Sequence, residues 1–168
     1  MFNTLYINQR DKMDLFSKLK SMKVLLIDDD EWIRDSLRLF FEGEVCQLQA
    51  LESAEEGVEA LKRNDYDIII ADYRLPRMDG LEFLKLIQDT HPHAKKILIT
   101  AYRDEEVVSE AIRIGIHDFI EKPFTTKTIE ESLSRLIEDR EKVINPVSSI
   151  QGRRRNKEGV QWPKHRDL

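Results

Sequence analysis

A chain of 168 residues, 40% of them hydrophobic, has the material for one domain with a real core plus short extensions. Its net charge of −5 is uneven: residues 23–140 carry sixteen Lys and Arg against twenty-seven Asp and Glu, residues 141–168 seven against three, and residues 1–22 four against two. An acidic centre argues against direct nucleic-acid binding by that segment, no run of about eighteen apolar residues marks a membrane span, and no leader pattern stands at the start.

The single cysteine, Cys46, rules out an internal disulfide, fits a reducing cytoplasm and is expected to pack in the core. Residues 1–22 form an extension, partly helical or disordered, in which Leu5, Ile7, Leu15, Phe16 and Leu19 can make a short amphipathic helix near its end. From Lys23 the chain alternates. Val24–Ile27 reads as a buried strand, and Ile33, Leu37, Phe40 and Phe41 give helical spacing over 30–42, with Asp30 as N-cap and Gly43 as stop. Val45–Leu51 alternates like an edge strand, and Ser53 with Glu56 forms a capping box before a helix whose inner face is Ala54, Val58 and Leu61.

Ile68–Ala71 is short, β-branched and uninterrupted, as a strand buried on both faces must be, and Asp72 follows it. Asp79 and Glu82 form a second capping box, with Leu81, Leu84 and Ile87 facing inward as far as His91-Pro92. Lys96–Thr100 is the fourth strand; Val107, Val108, Ala111, Ile112 and Ile114 mark the next helix, ended by Gly115. His117–Glu121 is the fifth strand, and Ile129, Leu133, Leu136 and Ile137 mark the fifth helix. Five strand–helix units in about 118 residues predict an α/β fold, (βα)5: a doubly wound five-stranded parallel sheet of flavodoxin-like order 2-1-3-4-5. The domain is expected over 23–140, and 141–168, with Asn145-Pro146 and Arg153–Arg155, as a mobile basic tail.

Ligands of open α/β sheets bind beyond the carboxyl ends of the strands, and four of the five strands end there in a reactive group. These are Asp28-Asp29 after the first, Asp72 after the third, Thr100 at the fourth and Lys122 after the fifth. Clustered carboxylates repel unless a cation compensates, and an all-oxygen set suits Mg²⁺. A lysine and a hydroxyl opposite that cation suit phosphoryl oxygens, and an Asp nucleophile among them points to an acyl phosphate. The four His residues, 91, 93, 117 and 165, have no metal-ligand spacing and read as surface or loop residues, and Trp32 reads as a partly exposed packing residue.

Val24-Leu25-Leu26-Ile27-Asp28-Asp29-Asp30, Asp72 with Leu75-Pro76-Arg77-Met78-Asp79-Gly80, Thr100-Ala101 and Lys122-Pro123-Phe124 together resemble the receiver domain of two-component response regulators, over about 23–140. The resemblance implies that Asp72 accepts a phosphoryl group from the phosphohistidine of a sensor histidine kinase or a histidine phosphotransfer protein. It implies Mg²⁺ held by Asp29, Asp72 and the backbone carbonyl of Arg74, with Asp28 acting through water. Thr100 and Lys122 would contact the phosphoryl group, Thr100 and Phe119 would form the switch, and a cis bond would precede Pro123. Phe119 lacks the hydroxyl of the more usual Tyr, so its switching would rest on packing. Arg74 and Tyr102 occupy the positions that set acyl-phosphate lifetime in the family; being long and bulky, they are expected to slow its loss.

With only 28 residues after Arg140, the chain reads as a cytoplasmic stand-alone receiver, not an enzyme beyond slow autodephosphorylation. Its output would pass to a downstream protein through the fourth helix, fifth strand and fifth helix, without direct nucleic-acid or membrane contact. Phosphorylation-dependent homodimerisation, a relay role, and a receiver cut from a longer DNA-binding regulator stay open. A Mg²⁺-dependent phosphatase of the haloacid dehalogenase type is the remote alternative, because Arg74 stands where that family has its second acid.

Overall fold

The structure, a computed structural model, describes residues 9–43, 46–101 and 104–144, with side chains described over 13–138 of these. Leu5, Ile7, Val45, Tyr102, His165 and the basic tail from Asn145 onward lie outside the described residues. The chain divides into two units, Met1–Leu136 and Ile137–Leu168; of the second, only the helical stretch 137–144 is described.

The strands are β1 (Lys23–Ile27), β2 (Gln47–Leu51), β3 (Ile68–Asp72), β4 (Lys95–Thr100) and β5 (Asp118–Glu121). They pair in parallel in the order β2-β1-β3-β4-β5, the flavodoxin-like arrangement. The helices are α1 (Gln9–Leu19), α2 (Glu31–Gly43), α3 (Ala54–Leu61), α4 (Gly80–Leu86), α5 (Glu105–Arg113) and α6 (Thr126–Ile144). No helix among the described residues is long and apolar enough to cross a membrane.

Alternation along each strand sends successive side chains to opposite faces. Leu25, Ile27, Ile69, Ala71 and Leu98 join Ala54, Leu61, Phe83, Leu84, Ile87 and Ile114 in one core under α3, α4 and the end of α5. The other parity, Val24, Leu26, Ile68, Ile70, Ile97 and Ile99, is equally buried, and the buried Leu37 and Phe41 of α2 and Ile129 and Leu133 of α6 are available to cover it. The helix α1 adds Leu15, Phe16 and Leu19 to the core, with the Phe16 ring set edge-on against Phe40 at 5.6 Å between centroids.

Several local expectations need correction. Cys46 is half-buried just before β2 rather than in the core, because its backbone N–H is still tied to the Phe41 carbonyl at the end of α2. Trp32 is 84% exposed, in the first turn of α2, whose buried positions are Leu37 and Phe41. Ile112 is 67% exposed, whereas Ala111 and Ile114 carry the inner face of α5. In α4 the fully buried aromatic is Phe83, which the expected stripe of Leu81, Leu84 and Ile87 omits, and the helix ends at Leu86 rather than continuing to His91-Pro92. The Ser53 capping box is half made: Ser53 Oγ accepts from the Glu56 N–H, but the Glu56 carboxylate accepts from Glu52 instead. The boundary set at Arg140 falls inside α6, which runs to Ile144 because nothing breaks it before Asn145-Pro146.

Candidate functional site

The four chemistry-bearing strand ends meet where the topology puts them. Asp72 is the last residue of β3 and Thr100 the last of β4; both side chains are buried. The strand ends are stitched together by backbone bonds from the Tyr73 N–H to the Ile99 carbonyl (2.7 Å) and from the Lys122 N–H to the Thr100 carbonyl (2.8 Å). The bond between Lys122 and Pro123 is cis.

From β1, Asp28 is fully buried while Asp29 is exposed. Asp28 Oδ1 accepts the Asp30 N–H at 2.9 Å. Asp30 turns away to cap α2, accepting the Trp32 N–H at 2.9 Å, which leaves three acids for the pocket. The Lys122 ammonium reaches Asp72 Oδ2 at 3.0 Å and Asp28 Oδ2 at 3.2 Å. It hydrogen-bonds to Asp72, whereas Asp28 Oδ2 is a buried acceptor with an ion pair but no aligned hydrogen bond.

Burial, then the Asp28 charge, raises the Asp72 carboxyl to about 6 against the opposing pull of Lys122. Burial also raises Asp28, partly offset by the Asp30 N–H and by Lys122. Burial pulls the Lys122 ammonium down, but Asp28 and Asp72 together leave it above its ordinary value. One cation among three acids leaves the pocket short of positive charge. Asp28, Asp29 and Asp72 each offer a carboxylate oxygen within 4.8 Å of the others, a hard-oxygen set fitting a small divalent cation, and the under-bonded Asp28 Oδ2 supports that fit.

Phe119 is half-buried on β5 and packs against the core under α3 and α4. It stands opposite Leu98, and Thr100 lies two residues further along the same face of β4, so Thr100 and Phe119 are diagonal neighbours in the sheet. Arg74 is exposed, two residues past Asp72 in the loop to α4.

Three features escape the sequence reading. Arg34, its side chain 12% exposed, donates to the Asp28 carbonyl at 2.8 Å and steadies the β1–α2 turn; only its place in the first turn of α2, just past the Asp28–Asp30 run, hints at this. Gly80 lies so close to β3 that a Cβ there would stand 2.0 Å from the Asp72 carbonyl oxygen, a close approach that only glycine permits. Beside Lys122, a groove of about 510 Å³ is lined by Trp32, Ile33, Leu37, Pro123 and Phe124.

The family described as "Response regulator receiver domain" matches residues 24–134. Chemotaxis protein CheY-3 of Vibrio cholerae is 31% identical over 124 residues, covering 71% of this chain and 94% of that protein. Response regulator protein FleR of Pseudomonas aeruginosa is 35% identical over 115 residues, covering 67% of this chain; the chain spans about a quarter, 24%, of FleR. Among solved structures, a CheY-like receiver domain from Methanospirillum hungatei superposes with a TM-score of 0.69 at 28% identity, over 73% of this chain and 98% of that one. With a family match spanning residues 24–134, well over half of its length, and a pocket built from the carboxyl ends of β1, β3, β4 and β5, the chain belongs to the response regulator receiver domains of two-component signal transduction.

Proposed function

We propose that Asp72 is the phosphoacceptor of a signalling switch driven by a phosphohistidine donor. The observation that carries this reading is the buried Asp72 carboxylate at a strand end, 3.0 Å from Lys122 and grouped with Asp28 and Asp29. An Asp72 oxygen attacks phosphorus, the O–P bond forms as the P–N bond breaks, and the electron pair returns to the imidazole, which takes up a proton from solvent. Lys122 and the Thr100 hydroxyl hold the phosphoryl oxygens. Receiver domains bind Mg²⁺ at an acidic pocket, and here Asp29, Asp72 and the Arg74 carbonyl would hold it directly, with Asp28 through water. Bound there, Mg²⁺ offsets the negative charge brought together by the carboxylates and the phosphoryl group.

Trp32 and the groove beside Lys122 suit the approach of the donor, since they place an exposed aromatic and an apolar floor next to the phosphoacceptor. Output would pass through α5, β5 and α6, where Phe119 and the exposed Ile112 lie, to a protein target or a second copy of the chain. Incubation with a radiolabelled phosphorylated kinase tests the reading: label should move to the wild type with Mg²⁺ and not to Asp72→Ala. A pull-down comparing beryllofluoride-treated wild type with Asp72→Ala tests the output.

A second reading, service to a longer DNA-binding regulator, is favoured by the similarity to the DNA-binding transcriptional regulator NtrC of Proteus hauseri, 31% identical over 138 residues, of which this chain matches 29%. Sequencing the gene beyond the Leu168 codon separates the two.

A further inference from the structure

The loop 73–79 between β3 and α4 is pinned at both ends. The Tyr73 N–H is bonded to the Ile99 carbonyl, the Gly80 N–H returns to the Tyr73 carbonyl at 3.0 Å, and Asp79 and Glu82 close a complete capping box. Between these anchors lie Arg74, whose carbonyl belongs to the proposed cation site, and Arg77, whose φ of 68° is in the left-handed region. That region is unfavourable for a long side chain, so a residue found there needs something to hold it.

Arg77 is held by a fork. Its Nε and Nη2 donate to Glu55 Oε1 and Oε2 at 3.1 and 3.2 Å, a two-pronged pair that fixes orientation as well as distance. Arg77 in turn holds the Glu55 carboxyl below its usual range, and Glu52 and Glu56 add to the negative field around the guanidinium. Glu55 is a rigid post: it sits in the first turn of α3, next to the buried Ala54, on a helix packed so tightly that a Cβ at Gly57 would meet Ile27 at 2.3 Å. The segment from β2 to α3 gives no group to the pocket itself, yet through this fork it grips the loop that does.

We infer that Glu55 and Arg77 are positioning residues for the cation site, their fork holding the β3–α4 loop in the conformation that site requires of the Arg74 carbonyl. This rests on the reading of the pocket as a Mg²⁺-dependent phosphoacceptor. The Arg77 side chain is 70% exposed and that of Glu55 40%, so solvent screens the pair and it adds little to global stability; its consequence falls on loop order.

Calorimetric titration with Mg²⁺ of wild type, Glu55→Gln, Arg77→Gln, Arg77→Gly, the charge-swapped Glu55→Arg/Arg77→Glu and Asp29→Asn tests the inference, together with amide exchange of residues 73–79 in EDTA. Glu55→Gln and Arg77→Gln should each raise the half-saturating Mg²⁺ concentration about three- to tenfold and speed exchange in the loop, with the melting temperature in EDTA nearly unchanged. The charge swap should recover much of the loss. Arg77→Gly, which relieves the backbone but breaks the fork, should be as weak as Arg77→Gln; if it binds as tightly as wild type, only the backbone conformation matters and the inference falls. Unchanged Mg²⁺ binding and exchange in Glu55→Gln also overturn it. Asp29→Asn separates the two levels: it should abolish Mg²⁺ binding, and binding like wild type there overturns the phosphoacceptor reading together with the inference.

Discussion

One ammonium, Lys122 Nζ, serves two buried carboxylates, Asp72 Oδ2 at 3.0 Å and Asp28 Oδ2 at 3.2 Å. Burial and then the nearby Asp28 charge raise Asp72 to about 6 despite the opposing pull of the shared ammonium, so without a metal the folded state holds a proton there that the unfolded chain, near 3.9, gives up. Stability from this group is fully present below about pH 4 and is lost as pH rises through about 6. In EDTA, Asp72→Asn should therefore match wild type near pH 4 and exceed it by on the order of 2 kcal/mol at pH 7.5. Added Mg²⁺ should close that gap by stabilising wild type selectively. Urea melts at both pH values, with and without Mg²⁺, measure it; an Asn variant no more stable than wild type at pH 7.5 in EDTA would contradict the raising of Asp72 by burial and by Asp28.

Gly80 packs against the Asp72 carbonyl with no room for a side chain between them. Gly80→Ala puts a methyl group 2.0 Å from that oxygen, so α4 or the end of β3 must shift. The expected cost is about 1–3 kcal/mol in urea denaturation, accompanied by weaker Mg²⁺ binding, because the moved backbone belongs to Asp72 itself. Gly43→Ala is the control: a Cβ there meets nothing within 4 Å, and stability should be unchanged or slightly higher. Full Mg²⁺ affinity in Gly80→Ala would show that the close approach has no bearing on the pocket.

Trp32 distinguishes donor docking from chemistry. At 84% exposed it contributes little to folding, but it lines the groove that reaches Lys122. Trp32→Ala should keep the melting temperature and the rate of phosphorylation by acetyl phosphate. Transfer from a phosphorylated kinase should slow about thirtyfold, as for loss of an aromatic hot spot worth about 2 kcal/mol. Equal slowing with both donors would place Trp32 in the chemistry rather than in docking.

The sheet was legible because its inner strands carry short β-branched apolar runs bounded by turn signals, and Ile68–Ala71 is, as that pattern suggests, a strand buried on both faces. Asp28, Asp72 and Thr100 were legible for a related reason, since a polar group closing such a run emerges at the crevice, and Lys122 follows the end of β5 at the same edge. Features that depend on packing between elements were not. Phe83 and Ile112 exchange the places that helical spacing gives their neighbours, because burial is decided by which side of α4 and α5 meets the sheet. Arg34, Gly80 and the Glu55–Arg77 fork involve residues six to twenty-two positions apart, or a backbone approach, that no local pattern encodes.

Thr100 and Phe119 lie on one face of the sheet in adjacent strands, two residues out of register, so movement of one bears on the space open to the other. Phe119 is only half-buried, and Phe119→Ala should cost less than the roughly 3–5 kcal/mol of a fully buried phenylalanine. If the pair forms the switch, Phe119→Ala and Thr100→Val should still take up beryllofluoride at Asp72, while the amide shifts it induces along α5, β5 and the start of α6 shrink severalfold. The phosphorylation rate from acetyl phosphate should hold within about twofold for Phe119→Ala, whose side chain lies on the far side of Leu98 from Asp72's strand. A full set of shift changes in Phe119→Ala would mean that phosphorylation reaches α5 and β5 by another route, and the output surface would have to be sought elsewhere on the domain.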